Sequence, residues 1–304
     1  MSDQNRIVTT LQCGARTLTL DRPRVMGILN VTPDSFSDGG KFFRKDEALT
    51  QVEAMIAAGA DIIDVGGEST RPGAGAVEAQ AEIDRVSPII EAIVDRFDTI
   101  VSIDTSKACV MRAAFASGAS IVNDVRALTE PDALEAAASS GLPVCLMHMQ
   151  GQPRSMQHAP AYDEVVADVT AFLMRRREAC MAAGICASQI VLDPGFGFGK
   201  TLEHNLSLAK NLQTLCQAGT VMIGLSRKRM LAEIIGDDSV SRTTASVTAA
   251  LLCVQRGASI VRVHDVKPTV QALAVLAAFD AERRSLTEGI SVLQESSDIG
   301  IGDG

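Results

Sequence analysis

The stretch TIVSIDTSKACVMRAAFASGASIVNDV (residues 99–125) contains one complete strand, helix and strand unit. Two short runs of mainly apolar residues, at 100–103 and 120–122, enclose a longer segment of helical composition. Each run is apolar on both faces, which is typical of strands that are covered on both sides in a parallel sheet. Because parallel strands need a crossover connection, this unit indicates an α/β fold.

The same alternation of strand and helix continues along the chain. Six further β-branched runs alternate with helical patterns, at residues 25–29, 61–65, 143–147, 189–192, 221–224 and 259–263. Eight such units predict a single (β/α)8 TIM barrel. A doubly wound open sheet also fits the alternation, but that fold more often has fewer strands.

The two ends of the chain differ from the repeating units. Runs at residues 6–11 and 16–20 flank Cys13-Gly14-Ala15 and predict a β-hairpin that closes the bottom of the barrel. No low-complexity linker interrupts the chain between residues 25 and 280, so we expect one barrel domain over residues 1–284. The segment 285–304 is rich in Ser, Gly and Asp and is expected to be a disordered tail.

Composition excludes several classes of protein. The 304 residues are 46% hydrophobic and 21% charged, which excludes a disordered or fibrous chain. A net charge of -9 and only ten aromatic residues (nine Phe, one Tyr) disfavour binding to nucleic acid or an anionic membrane. Taken alone, that charge also disfavours an anionic substrate. Seven scattered cysteines without a CxxC pair, and no long apolar segment, predict a soluble cytoplasmic protein.

Polar residues close several of the apolar runs. In a barrel the carboxyl ends of the strands converge on one face, so these residues share a cavity. Asp104, Asn123 and Asp193 each end a buried run, where a polar side chain needs a partner. Together they suit a flat heterocycle with several N–H donors. A metal is the less favoured alternative, because no histidine accompanies the carboxylates.

Cations follow the last two predicted strands. Arg262 and His264 are two residues apart and therefore face the same way in an extended segment. Residues 226–229 (Ser-Arg-Lys-Arg) place three positive charges at a helix start. Barrels frequently bind phosphate after strands seven and eight, so this region is predicted to bind an anion. A solvated helix end is the alternative for Arg227 or Arg229.

A glycine-rich segment, DPGFGFGKT (residues 193–201), is one residue short of the G-x4-G-K-T pattern, and we reject a nucleotide triphosphate loop. Its glycines would let the backbone approach a flat ligand, with Phe196 or Phe198 lying over that ligand and the other ring in the core. Two long, glycine-rich loops at residues 30–45 and 66–76 are candidates for functional lids.

Eight motifs occur in the order found in a known family. They are MGILNVTPDSFSDGG (26–40), DVGGESTRPGA (64–74), VSIDTSK (101–107), IVNDV (121–125), LMHMQG (146–151), LDPGFGFGK (192–200), LSRK (225–228) and VRVHDV (261–266). They resemble the dihydropteroate synthase family over the whole predicted barrel.

The resemblance implies a transferase of folate biosynthesis that joins p-aminobenzoate to 6-hydroxymethyl-7,8-dihydropterin pyrophosphate and releases pyrophosphate. It implies that the pterin is held by Asp104, Asn123, Asp193 and Lys228. It implies that pyrophosphate is held by Asn30, Arg262 and His264, with Mg2+ near Asn30. It places p-aminobenzoate against Thr70, Arg71, Pro72, Phe198 and Ser226.

The same resemblance assigns the catalytic roles to Asp104, Asp193, Lys228, Arg262 and His264. It also implies a homodimer, and sulfonamides as competitors of p-aminobenzoate. Arg229 stands where some members of the family have Ser, which leaves open how the p-aminobenzoate carboxylate is held. Because Arg71, Lys228, Arg262 and His264 would gather on one face, the net charge of the chain does not describe this pocket.

Two other functions compete with this one. A pterin-binding methyltransferase shares the aspartate and asparagine pocket but passes a methyl group from a methyl-tetrahydrofolate to a corrinoid. It has no use for a pyrophosphate clamp, so Arg262, His264 and Lys228 disfavour it. A non-catalytic paralogue that binds pterins or serves as a partner subunit is the second alternative, but such copies usually lose site residues that are present in this chain.

Overall fold

Eight parallel strands close into a barrel in the computed structural model, which describes residues 9–32, 41–69, 75–151 and 160–297. The strands are β3 (Arg24–Asn30), β4 (Ile62–Gly66), β5 (Ile100–Asp104), β6 (Ile121–Asp124), β7 (Val144–Met147), β8 (Ile190–Asp193), β9 (Thr220–Ile223) and β10 (Ile260–Val263). They pair in chain order, and β10 pairs with both β9 and β3, which completes the ring. The predicted (β/α)8 barrel is confirmed, and the open sheet is excluded.

Helices connect the strands of the barrel. They are α1 (Lys41–Ala57), α2 (Ala79–Arg96), α3 (Ala108–Ala116), α4 (Ala133–Ser140), α5 (Val165–Ala182), α6 (Leu202–Lys210), α7 (Leu212–Ala218), α8 (Arg229–Ile235), α9 (Thr243–Val254) and α10 (Val266–Ser297). The domain boundary expected at residue 284 falls inside α10, and the division of the chain there stays a prediction. In the described ranges, no helix is long and apolar enough to cross a membrane.

An N-terminal hairpin covers the bottom of the barrel. Strands β1 (Thr10–Cys13) and β2 (Arg16–Thr19) pair antiparallel, with Cys13 opposite Arg16, so the turn is only Gly14-Ala15. Gly14 has a φ of +61°, a left-handed conformation that favours glycine. The hairpin is confirmed, but its first strand begins at Thr10, later than the predicted run from residue 6. Residues 1–8 lie outside the described chain.

Successive side chains of a β-strand point to opposite faces. Each barrel strand therefore contributes residues both to the core beneath the helices and to the core inside the barrel. On β4, Ile63 and Val65 pack outward with helix residues such as Ile90, whereas Ile62 points inward. Each of the eight strands contributes one residue to the inward layer at the bottom: Met26, Ile62, Ile100, Ile121, Cys145, Val191, Met222 and Ile260. The hairpin residues Leu11, Cys13, Leu18 and Leu20 pack against that layer. The bottom of the barrel is therefore sealed, and only its carboxyl end is left to bind ligands.

Candidate active site

The strand period places the functional side chains at the open end of the barrel. Side chains that point into the barrel recur every second residue, and each lies nearer to the carboxyl end of the strand than the one before it. This step leads from Ile121 to Asn123 and from Val191 to Asp193; in the same way Ile62 precedes Asp64 and Ile260 precedes Arg262. The predicted Asn123, Asp193 and Arg262 are therefore reached by the same step, and Asp104, four residues after Ile100 on β5, lies opposite Asn123 in the strand register.

Arg262 is the centre of this group of side chains. Its Nε donates to Asp64 Oδ2 at 2.6 Å, and one terminal nitrogen donates to Asp104 Oδ2, also at 2.6 Å. Asn123 Nδ2 donates to the same Asp64 oxygen at 3.0 Å. The family resemblance separates a pterin end from a pyrophosphate end, whereas in the structure Asp64 joins Asn123 to Arg262, and Arg262 in turn binds Asp104. Asp64 lies inside the predicted run 61–65, one residue before its end, and was missed, although its parity with Ile62 could have identified it.

Burial shapes the electrostatics of this cluster. Asp64 is fully buried and Asp104 is 7% exposed. Desolvation raises the pKa of Asp104; Arg262 opposes this effect, while Asp64 adds to it. Burial would lower the pKa of Arg262, but Asp64 and Asp104 raise it above its ordinary value. Asp64 Oδ1 and Asp104 Oδ1 are buried without a hydrogen-bond partner among the described residues. Two carboxylate oxygens can therefore accept hydrogen bonds from a ligand.

The segment 193–200, here called the glycine loop, borders the cluster. Asp193 Oδ1 accepts from the backbone N–H of Gly195 at 2.7 Å. Lys228 Nζ donates to the Phe196 carbonyl and lies 4.4 Å from the centre of the Phe198 ring. Phe196 is fully buried, whereas Phe198 is half-buried, so Phe198 is the ring at the site.

Lys228 and Asp193 influence each other's protonation. Burial lowers the pKa of Lys228 to about 8, and Asp193 opposes that shift. Burial also raises the pKa of Asp193, and Lys228 again opposes the shift. Each group therefore favours the charged form of the other at this side of the barrel mouth.

Of the three basic residues 227–229 after β9, one lies at the site and two lie at the surface. Arg227 has a φ of +58°, and its guanidinium pairs with Asp265 at 2.6 Å. Arg229 is exposed. Of the three consecutive cations, Lys228 alone contacts the described glycine loop, so the solvated alternative fits Arg229 and a surface ion pair explains Arg227.

Ser226 and His264 form a pair at the ends of β9 and β10. Ser226 Oγ accepts from the backbone N–H of His264 at 3.1 Å and lies 3.0 Å from His264 Nδ1. A hydroxyl that accepts one hydrogen bond can donate the other, so Ser226 can donate to Nδ1. The proton of the neutral imidazole then lies on Nε2, which leaves that nitrogen as a donor.

Asn30 ends β3, next to the Arg262 cluster. A Cβ added to Gly66 would lie 3.7 Å from Asn30 Oδ1 and 3.7 Å from Asp104 Oδ2, so both side chains border the same small space. Within the described ranges, no group of three or more His, Cys, Asp or Glu side chains is suited to hold a metal ion. Mg2+ often takes only one or two protein ligands beside substrate phosphates, and the amide oxygen of Asn30 fits that role. Thr70, Arg71 and Pro72 lie outside the described residues.

Comparison with known proteins now identifies the class. The family described as "Pterin binding enzyme" matches residues 26–264, so this chain belongs to the pterin-binding enzyme family. The dihydropteroate synthase of Haemophilus influenzae is 52% identical over 266 residues, which cover 87% of this chain and 97% of that protein.

Solved structures agree. The Xanthomonas albilineans dihydropteroate synthase with 4-aminobenzoic acid has a TM-score of 0.85 and 49% identity, and the match covers 90% of this chain and 99% of that one. The same organism's dihydropteroate synthase in complex with 7,8-dihydropteroate has a TM-score of 0.82 and 47% identity, with the same coverage of both chains. The resemblance inferred from the motifs is confirmed, and the corrinoid methyltransferase is not favoured.

Proposed function

We propose that this chain is a dihydropteroate synthase, a transferase that joins p-aminobenzoate to 6-hydroxymethyl-7,8-dihydropterin pyrophosphate. One observation carries the proposal: buried carboxylates, an arginine held between two of them, and a lysine above an aromatic ring meet at one barrel mouth. The relatives bear the same name, and neighbouring structures hold 4-aminobenzoic acid or 7,8-dihydropteroate.

Asp104, Asn123, Asp193 and Lys228 are proposed to hold the pterin. Asp104 Oδ1 is buried and has no hydrogen-bond partner in the part of the chain that the structure describes, which supports this role, because a buried acceptor gains most from a ligand N–H. Asp193 has one oxygen fixed by Gly195 N–H, which orients the carboxylate before substrate arrives.

Asn30, Arg262 and His264 are proposed to hold the pyrophosphate. Arg262 and His264 lie on the same side of the β10 segment, and Ser226 can fix the tautomer of His264. The amide oxygen of Asn30 is the proposed protein ligand of Mg2+. When bound, this cation neutralises charge on the pyrophosphate oxygens.

The arylamine is proposed to lie against Phe198, Lys228 and Ser226. The cation above the Phe198 ring supplies an electropositive surface beside an aromatic face, which suits a benzoate ring with its carboxylate. Thr70, Arg71 and Pro72 complete this proposed side, with the two early loops as lids that exclude water.

The reaction breaks the bond between the pterin methylene carbon and the pyrophosphate oxygen. The electron-rich ring supports positive charge on the methylene, so little acid–base catalysis is needed. Asp104 and Asp193 stabilise that charge, and Arg262 and His264 stabilise the negative charge that develops on the leaving oxygen. The amine of p-aminobenzoate then bonds to the methylene carbon and loses a proton to solvent.

The test is release of pyrophosphate from dihydropterin pyrophosphate and Mg2+, measured with and without p-aminobenzoate. We expect release to depend on p-aminobenzoate and a sulfonamide to compete with it. Release that is independent of the arylamine would overturn the proposal. Methyl transfer from a methyl-tetrahydrofolate to a corrinoid would instead support the alternative function.

We also propose a homodimer that forms through α9 and α10. These helices pack together and expose Leu252 (48%), Val275 (58%) and Phe279 (71%), an apolar surface that a second copy of the chain could cover. Sedimentation of wild type should give a dimer and Val275→Asp a monomer, whereas Leu206→Asp on α6 should stay dimeric. A monomeric wild type would contradict this assignment.

The proposed compartment is the cytoplasm. No disulfide joins any of the seven cysteines, all of which lie in the described chain, as expected in a reducing compartment. Fractionation of the source cells would check this assignment, and recovery outside the cytoplasm would contradict it.

A further inference from the structure

Lys200 is a buried cation that the proposed chemistry does not use. It ends the glycine loop and is 3% exposed. Its Nζ donates to the carbonyls of Gly195 at 2.9 Å and Phe198 at 3.0 Å, and lies 2.9 Å from His148 Nδ1. The carbonyl oxygen of His148 is a fourth acceptor, 3.3 Å from the same Nζ. Burial and the charge of Lys200 lower the pKa of His148 to about 3, so its neutral Nδ1 accepts. Burial and the charge of Lys228 lower the pKa of Lys200 to about 7, and Asp193 opposes that shift. In its charged form the ammonium has three N–H groups, and all three are used here.

The shape of the loop explains why it needs an internal donor. Gly195, Gly197 and Gly199 have φ values of +66°, +77° and +60°, which turn the backbone back on itself. A Cβ at Gly195 would lie 1.9 Å from the His148 carbonyl oxygen, so the loop packs directly against the end of β7. Buried carbonyls need hydrogen-bond donors, and Lys200 supplies them from within the loop.

The same loop holds three groups of the proposed site. Gly195 N–H fixes Asp193, the Phe196 carbonyl accepts from Lys228, and the Phe198 ring lies under that lysine. Lys200 binds the carbonyls of Gly195 and Phe198, on either side of the one that anchors Lys228. Its Nζ donates to none of the proposed substrate-binding side chains that the structure describes, so its effect on them passes through the loop backbone.

We propose that Lys200 is a positioning residue whose ammonium holds the glycine loop in the shape that presents Asp193, Phe198 and the anchor of Lys228. The assignment of these groups to pterin and p-aminobenzoate rests on the proposed function. The proposed pyrophosphate ligands lie on β10 and β3, two and three strands around the barrel from β8. Loss of Lys200 should therefore weaken the binding of pterin and p-aminobenzoate and leave the binding of pyrophosphate unchanged.

The first experiment compares Lys200→Met with Lys210→Met, a change at an exposed lysine on the next helix. Loss of a hydrogen-bonded charge changes an equilibrium by about tenfold or more, so KM for p-aminobenzoate should rise by at least that factor in Lys200→Met. The dissociation constant of inorganic pyrophosphate with Mg2+ should stay within about twofold of wild type. Equal KM values, or equal weakening of both ligands, would overturn the proposal.

A second pair of variants tests the acceptors around the Lys200 ammonium if Lys200→Met does not fold. His148→Gln keeps an acceptor for the ammonium, whereas His148→Leu removes it. The proposal expects KM for p-aminobenzoate to rise in His148→Leu and to be largely restored in His148→Gln. Equal values in the two variants would count against it.

A third measurement does not depend on catalysis. Phe198 N–H donates to Gly195 O at 3.1 Å, and Gly197 N–H donates to Asn205 Oδ1 at 2.8 Å. Amide exchange at these two positions should be faster in Lys200→Met than in Lys210→Met. If wild type lacks synthase activity but this difference is seen, the proposed function fails while the role of Lys200 in the loop stands. Unchanged exchange would refute that role.

Discussion

Replacing Asp64 by Asn would test how the site holds Arg262. The change is nearly isosteric, so it alters charge with little change in volume. Asp64 Oδ2 accepts from both Arg262 Nε and Asn123 Nδ2, at 2.6 Å and 3.0 Å. An amide oxygen in that place can still accept both hydrogen bonds, but without the negative charge that balances the guanidinium. We expect Arg262 to be held less firmly and to depend on Asp104 alone for an ion pair.

The magnitude follows from the contact that is weakened. A hydrogen bond to a charged group contributes about 1.5–3 kcal/mol, which corresponds to roughly 10- to 100-fold in affinity. The new NH2 group would occupy the position of Asp64 Oδ1, where no described residue offers a hydrogen-bond partner, so it forms no contact that replaces the lost charge. The loss should therefore not fall below about tenfold.

The assay measures two quantities that depend on Arg262. Calorimetry gives the dissociation constant of pyrophosphate with Mg2+, and kinetics give kcat/KM for dihydropterin pyrophosphate. Both should worsen by about 10- to 100-fold, while KM for p-aminobenzoate changes little because Phe198 and Lys228 lie on other elements. Asp98→Asn is the matched control, since Asp98 is 93% exposed and pairs with Arg16.

The reasoning would be refuted by a folded Asp64→Asn variant whose pyrophosphate affinity and kcat/KM stay within about twofold of wild type. That result would mean that Asp104 alone orients Arg262. Circular dichroism and thermal unfolding establish that the variant is folded before either quantity is compared.

Further predictions concern the chemistry, the buried histidine, the barrel bottom and the coupling of ligands. Asp193→Asn should lose at least about 100-fold in kcat, as expected for one preorganised electrostatic group, and near-wild-type turnover would remove Asp193 from its assigned role. Since the pKa of His148 is lowered from 6.5 to about 3, the unfolded chain binds a proton there that the folded chain does not. The contribution of His148 to stability should therefore fall as pH drops from 6.5 toward 3, by up to about 1.4 kcal/mol per pH unit, and urea titrations at pH 7, 6 and 5 should show the difference in stability between wild type and His148→Gln changing with pH in that direction. Leu11→Ala, which opens a cavity in the bottom layer, should cost about 2–5 kcal/mol in urea unfolding with kcat unchanged, against little change for the exposed Leu206→Ala; a drop in kcat would contradict the separation of bottom and mouth. Pyrophosphate should bind at least about fivefold more tightly when 6-hydroxymethylpterin is present, and calorimetry showing equal affinity would argue against coupling of the two ends.

Much of the fold could be predicted because the strand pattern depends on local properties. All eight predicted runs became barrel strands, since β-branched residues that are apolar on both faces suit a sheet covered by helices and by its own interior. The same period of two carried Asp104, Asn123, Asp193 and Arg262 to one face. Asp104, Asn123 and Asp193 each follow directly after the last residue of a run, and Arg262 was grouped with them through His264, two residues further along.

The contacts within the site could not be read in this way. Asp64 lies inside its run and carries no end signal, yet it joins Arg262 to Asn123. Lys200 had no predicted role once a phosphate loop was rejected. In the structure, three glycines with positive φ turn the loop so that the Lys200 ammonium donates to a carbonyl of the same loop. Both cases depend on side-chain direction and on long-range packing, which a one-dimensional pattern does not contain.

The net charge of -9 was a poor guide to the substrate, and the structure gives a physical reason. The cations at the mouth are balanced locally: Arg262 lies on Asp64 and Asp104, and Lys228 lies near Asp193. An anion therefore does not meet a bare positive surface. If the N–H groups of a pterin bind Asp104 and Asp193 as proposed, those carboxylates share their charge with the ligand, and Arg262 and Lys228 interact more strongly with an anion. We therefore expect affinity for pyrophosphate to depend on whether a ligand is bound to these carboxylates, which the net charge of the chain does not describe.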